Sequence, residues 1–406
     1  MVKRELYLKK IRPLINKDII KVITGIRRCG KSYMLNLIKE ELLNNHNIKE
    51  SNIILINLES TKYNMIKSDL DLNEIVFKLT ENLSGKIYLF FDEIQNVDKW
   101  EKSINGYRVD LDCDIYITGS NAELLSGELA TLIAGRYMEI KMYPFSFKEA
   151  LLFEKEKIKS NKKEINETQL FDNYIKYGGM PFIFHLEESE KLNYLKDLYN
   201  SILLKDIIQR NKIRDIDLLD RLLKYLIDNI GHTFSALSIS KYLKSENRNV
   251  SRETIYNYLF YCINGCLIFK VPREDLIGKK LLKISEKYYL TDHGFNQSMA
   301  EGNKQNIGQI LENIVYMELV RRGYDITIGK ANGYEIDFVC KKNKNKIYIQ
   351  VSYILADEEV IKREFRPLMK IKDSYPKYVL SLDEFDLSKE GIRHLNIKEF
   401  LKTDEL

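Results

Sequence analysis

The 406-residue sequence predicts an α/β fold. A parallel sheet with helices on both faces comes first, then a helical segment, then two smaller C-terminal units. Three observations carry this prediction. Five short apolar runs, at 19–24, 52–58, 87–91, 114–118 and 137–142, are separated by helical patterns; such alternation builds a parallel sheet covered on both sides. The run from Ile87 to Phe91 lacks the polar alternation of a half-exposed strand and reads as buried on both faces. The first run leads into Gly25-Ile-Arg-Arg-Cys-Gly-Lys-Ser32, and a helix-forming stretch from Tyr33 leaves it. Strand, glycine-rich turn and helix, with Lys and Ser at its end, is the pattern of a phosphate-binding loop.

Each residue of that loop has a chemical reason. Gly25 and Gly30 let the backbone curl so that the N–H groups of Ile26, Arg27, Arg28 and Cys29 point inward at an anion. The helix beginning near Tyr33 adds its positive end. Lys31 reaches the β- and γ-phosphates of a nucleotide, and Ser32 offers a hydroxyl to Mg²⁺. Cys29, placed inside the loop, is expected to make the site sensitive to oxidation.

Such a loop requires a second strand ending in acid. Lys86-Ile-Tyr-Leu-Phe-Phe-Asp-Glu93 supplies it. Asp92 is expected to hold Mg²⁺, directly or through water. Glu93 is the candidate general base, because that role needs a carboxylate the metal has not neutralised. The run Asp114-Ile-Tyr-Ile-Thr-Gly-Ser-Asn121 ends in small polar residues. Ser120 and Asn121 are both candidates to orient water or sense the γ-phosphate. Gly135-Arg136 precedes the last run, and Arg136 is a candidate to reach a phosphate on a neighbouring subunit.

Together these elements resemble the AAA-family ATPases. More narrowly, the chain resembles a group of uncharacterised prokaryotic AAA-type ATP-binding proteins with a C-terminal domain of unknown function. The landmarks that carry this include Phe91-Asp-Glu-Ile-Gln95, Thr118-Gly-Ser-Asn121, Tyr177-Gly-Gly-Met-Pro181, Tyr289-Leu-Thr-Asp-His-Gly294 and Glu335-Ile-Asp-Phe338. The resemblance implies an ATPase core over 1–146 and a helical lid over 147–215, with the turn at Tyr177–Pro181 belonging to the lid.

Two further units are expected, a winged helix over 216–304 and a small α/β unit over 305–406. Three helical patterns followed by two β-like runs give the order of a winged helix. Its third helix would present Arg252, Tyr256 and Asn257, and its wing Arg273, Lys279, Lys280 and Lys283, to duplex DNA. The final unit has the layout of PD-(D/E)xK restriction-type nucleases. Asp337 matches the aspartate and Glu312 the helical acid, but the Glu-x-Lys pair reads Gln350-Val-Ser352. A neutral Gln and a Ser replace a metal ligand and a cation, so this reads as a nuclease fold without its catalytic set. A live nuclease would need Glu335 or a lysine from elsewhere.

Composition bounds these readings. At 44% hydrophobic and 30% charged the chain is globular rather than disordered. A net charge of +5 permits a nucleic-acid face without requiring one. Five cysteines at scattered positions form neither a disulfide framework nor a metal site. No signal segment or bilayer-length apolar run occurs, so a cytoplasmic protein is expected. The implied cofactors are ATP and Mg²⁺. The implied partners are double-stranded DNA or a protein, not a membrane, and further copies of the chain if Arg136 acts in trans.

Overall fold

The computed structural model describes residues 2–120, 135–158, 165–276, 278, 280–299 and 307–404, with 280–285 as backbone only. The chain forms two compact units: 1–144 with 264–266, and 145–263 with 267–406.

The first unit holds β1 (Ile20–Gly25), β2 (Ile53–Asn57), β3 (Ile87–Asp92), β4 (Cys113–Gly119) and β5 (Tyr137–Met142). All pair in parallel, in the order β2-β3-β4-β1-β5. Every residue of β1 and β3 is buried, as their unbroken apolar runs require. One face of the sheet is covered by Leu72 and Val76 of the helix Asp69–Thr80 and by Trp100, Ile104 and Tyr107 of the helix Trp100–Asp110. Ser68 and Asp71 close a capping box that starts the first of these helices. The helix Lys31–Asn45 packs on β1, β3 and β4. The register sets Asn57 beside Asp92, Phe91 beside Ile117, and Gly25 beside Met142. The strands' carboxyl ends therefore line one edge, with β4 inserted between β1 and β3. That edge is where open α/β sheets bind ligand.

The second unit begins with helices Phe147–Ile158, Glu167–Tyr177 and Glu188–Ser201. Helices Ile216–Asp228, Ala236–Ser245 and Arg252–Asn264 follow, then the hairpin β6 (Ile268–Asp275) and β7 (Lys280–Leu290). The helix–helix–helix–hairpin order is the one expected, but the hairpin is not free-standing. Arg273–Asp275 of β6 pair in parallel with Ile328–Lys330 of β8 (Asp325–Ala331). The sheet continues through β9 (Tyr334–Lys342), β10 (Asn345–Val351), β11 (Lys377–Ser381) and β12 (Arg393–Asn396), giving β12-β11-β10-β9-β8-β6-β7. The segments 216–304 and 305–406, expected as separate units, share this one sheet.

The segment expected to act as a lid is likewise tied into the second unit. Asp292 is buried, and its carboxylate accepts the N–H groups of Gly179 (2.9 Å) and Gly294 (2.8 Å). Gly178 has φ +76°, and a Cβ there would lie 1.8 Å from Asp292 Oδ1, so only glycine fits. Beside it the Nε2–H of buried His293 donates to the Tyr174 carbonyl (2.6 Å). The two sequence landmarks, Tyr177–Pro181 and Tyr289–Gly294, are thus the halves of one polar lock.

This lock makes a pH prediction. Burial pushes the Asp292 carboxyl up to about 6, against the pull of the Gly294 and Gly179 N–H groups. Burial pushes the His293 imidazole down to about 4. A raised Asp292 contributes stability that is lost as pH rises through 6. A depressed His293 contributes stability that is lost as pH falls from 6.5 towards 4. On acidification the two oppose each other. Asp292→Asn removes only the first, so between pH 7.5 and 5 the variant should lose about 1 kcal/mol more than the parent protein. Melting curves across that range check this; parallel pH profiles would contradict it.

Candidate nucleotide site

The turn after β1 is built by sterics. Gly25 has φ +149°, and a Cβ there would sit 2.3 Å from the Met142 carbonyl oxygen. Gly30 adopts φ +103° and starts the helix Lys31–Asn45. Ile26 and Cys29 are buried beneath the loop, Arg28 is exposed at φ +66°, and Arg27 pairs with Glu59 (3.2 Å). Tyr33 is half-buried on the first turn of the helix. Behind the loop, the fully buried Arg4 donates to the carbonyls of Cys29 (2.9 Å) and Tyr143 (2.9 Å). Arg4 thereby ties the loop to the end of β5.

Lys31 is only 4% exposed. Its ammonium donates to the carbonyls of Gly25 (3.2 Å) and Ile26 (3.4 Å) and to Ser120 Oγ (2.9 Å). It also lies 3.3 Å from Glu93 Oε1. Ser120 in turn donates to the Glu93 carboxylate (2.7 and 2.9 Å), and Gln95 donates to the same group. Glu93 sits in the left-handed region at φ +56°, with its N–H donating to Thr118 Oγ1 (2.9 Å). Thr118 donates to Asp92 Oδ1 (2.6 Å), and Asn57 donates to Asp92 Oδ2 (3.2 Å). The Ser32 hydroxyl is near enough to help lower the Asp92 carboxyl. Strands β1 to β4 thus each deliver a polar group to one point.

Charge at this point is divided. Burial raises both carboxyls, but for Glu93 the Lys31 ammonium, Ser120 and Gln95 outweigh it and hold the group below the usual carboxylate range. Asp92 stays raised, because burial exceeds the help of Thr118 and Ser32. Lys31 is itself raised: burial works against its charge, and Glu93 more than compensates.

One expectation requires correction, and Arg136 has its place in the chain. Cys29 is buried, and burial pushes its thiol up, so it lacks the thiolate that oxidation requires. Arg136 stands just before the amino end of β5, beside Ile20, exposed and donating to Asn105 (2.9 Å). The loop lies at the other end of that strand, about 20 Å away at ~3.3 Å per residue. Arg136 is therefore not brought to the site of its own chain. Asn121 lies outside the described residues.

An AAA domain matches residues 17–151, and a domain of unknown function matches residues 168–306. An uncharacterized protein of Haemophilus influenzae is 37% identical over 402 residues, covering 99% of this chain and 98% of its own. An uncharacterized protein of Methanocaldococcus jannaschii is 36% identical over 416 aligned residues, covering 97% of this chain and 90% of its own. The chain belongs to this family of AAA-domain P-loop proteins. Among solved structures, a Walker-type ATPase of Pyrococcus abyssi aligns with TM-score 0.52 at 16% identity, over 74% of this chain and 96% of that one, which shows the shared fold.

This AAA-domain protein carries its other candidate residues in the second unit. Arg252 and Asn257 are exposed and Tyr256 half-buried; with Phe260 and Lys270 they line an open groove of about 810 Å³. Arg273 pairs with Glu335 (3.0 Å), so it is engaged within the fold rather than offered by a wing. Lys280 and Lys283 lie on β7, where only the backbone is described, and Lys279 lies outside the described residues. At the nuclease-like position Glu312, Asp337, Gln350 and Ser352 do come together across the helix Ile307–Arg321, β9 and the end of β10. Asp337 Oδ2 accepts the Val351 N–H (2.8 Å), and the Asp337 N–H donates to Gln350 (3.3 Å). Ser352 is buried, its N–H donating to the Leu380 carbonyl (2.9 Å). Among the described residues no helix is long and apolar enough to cross a membrane.

Arg4, Asn57, Gln95 and Thr118 escaped sequence reasoning as residues of this site. Asn57 and Thr118 left a faint signal, since each is a polar residue at the end of an apolar strand. Arg4 left none.

Proposed function

We propose that the protein is a Mg²⁺-dependent ATPase whose nucleotide state controls how its C-terminal region engages DNA or a protein partner. The observation that carries this reading is the convergence of Lys31, Ser120, Glu93 and Asp92 at the mouth of the phosphate loop.

The donor set suits Mg²⁺: Ser32 and Asp92 offer hard oxygen atoms near one another, and Asn57 and Thr118 orient the carboxylate. These two residues would hold the ion, which supplies positive charge against the phosphate oxygens. The loop N–H groups and Lys31 bind the phosphates. To do so Lys31 has to give up Glu93. Freed of the ammonium, the Glu93 carboxylate becomes more basic and takes a proton from the attacking water. Ser120 holds the carboxylate in position throughout.

For the C-terminal region, DNA contact is supported by the exposed Arg252 and Asn257 on a helix that follows the winged-helix order. ATP turnover with and without double-stranded DNA, at low and moderate salt, tests it. A rate that DNA stimulates and salt suppresses is expected. A rate indifferent to DNA at both salts removes DNA as the coupled partner and leaves a protein in that place.

A further inference from the structure

The nuclease-like layout asks for a divalent cation among Glu312, Asp337 and residue 350. The residues present do not fit one, because a lysine fills the place. Lys287 of β7 is 3% exposed, and its Nζ lies 3.0 Å from Glu312 Oε1, 2.9 Å from Glu335 Oε1 and 3.8 Å from Asp337 Oδ1.

Several of the neighbouring donor atoms are engaged inside the fold. Tyr289 donates to Glu312 Oε1 (2.5 Å), and Arg273 pairs with Glu335 Oε2 (3.0 Å). Asp337 Oδ2 accepts from the Val351 backbone, and Gln350 Nε2 turns away to Glu364 Oε2 (3.2 Å). Among the described residues no group of three or more carboxylate, histidine or cysteine side chains could hold a metal ion. The Lys287 ammonium is instead faced by three carboxylates, those of Glu312, Glu335 and Asp337. With Nζ at 3.0 Å and 2.9 Å from the Glu312 and Glu335 oxygens, the ammonium sits at the point those carboxylates would offer an ion, and like charges that close repel.

We propose that the ammonium of Lys287 takes the cation's place in this site, converting a metal-dependent catalytic layout into a metal-free ionic lock. The lock joins β7 to the helix Ile307–Arg321 through Glu312 and to β9 through Glu335 and Asp337. That accounts for the hairpin being built into the seven-stranded sheet. A catalytic lysine would have to meet a phosphodiester, whereas this one is enclosed by its own carboxylates. The inference is independent of what the ATPase core does.

The test uses the full-length chain without nucleotide and Mn²⁺ as probe, read by the loss of the free-ion EPR signal and by melting curves. The parent protein should show no Mn²⁺ uptake that depends on Asp337. Lys287→Ala should melt several degrees lower, gain at least ten-fold in Mn²⁺ affinity, and recover its melting temperature with the ion. Adding Asp337→Asn to it should abolish both gains. Should the alanine variant not fold even with Mn²⁺, Lys287→Gln, which drops the charge but keeps hydrogen-bonding capacity, is read the same way. Mn²⁺ uptake by the parent protein that is lost in Asp337→Asn overturns the proposal. So does a charge-free variant that gains no Mn²⁺ site.

Discussion

Glu93→Gln should bind ATP and hardly hydrolyse it. The general-base contribution of a positioned carboxylate is about 10² to 10⁴ in rate, and an amide cannot accept the proton. The substitution is nearly isosteric, so Ser120 still finds an oxygen to donate to, and the left-handed backbone at residue 93 is unchanged. Affinity should hold or improve. The Glu93 carboxylate lies 3.3 Å from the Lys31 ammonium and competes with phosphate for it. A neutral Gln competes less. Phosphate release gives the rate, and equilibrium binding of labelled ATP gives the affinity. Turnover within a factor of a few of the parent protein would remove Glu93 from the base role. Weakened binding would mean that the Lys31–Glu93 pair supports the loop rather than competing with ligand.

The P-loop half of the molecule was legible because its signals are local. A strand buried on both faces must be an unbroken apolar run, and a backbone that wraps phosphate must carry glycine where Gly25 turns. Each is decided within a few residues, and the five strands fell where their apolar runs lie. The second unit was legible in its element order but not in its pairing. The parallel contact of β6 with β8 joins Arg273 to Ile328, residues far apart in sequence, and no local pattern announces it. The same gap hid Lys287. In the run Lys280 to Leu290 it looks like any lysine of an exposed wing; only the placement of Glu312, Glu335 and Asp337 around it shows why it is buried. For Arg136 the sequence showed less. Its position beside a strand was legible, but strand direction puts it at the end of the sheet away from the loop. For Cys29, sequence gave the neighbours in the loop and not the depth, and depth decides thiol reactivity.

Lys31→Ala should lose ATP binding by about 100-fold, since a charge-assisted contact to phosphate is worth about 1.5–3 kcal/mol. It should also melt below the parent protein, for a separate reason. Lys31 is buried with Glu93, and removing the cation leaves a carboxylate that burial disfavours, held only by Ser120 and Gln95. The two effects come apart in a double variant. Lys31→Ala with Glu93→Gln removes both charges, so the melting temperature should return most of the way to that of Glu93→Gln alone. ATP binding should not return, because the phosphates still lack their cation. The non-additivity of the melting data measures the Lys31–Glu93 coupling in the unliganded protein. If Lys31→Ala melts with the parent protein and the double variant is simply additive, the two side chains do not interact. ATP binding would then leave Glu93 as it was, and the exchange of partners by Lys31 could not be the step that readies the base.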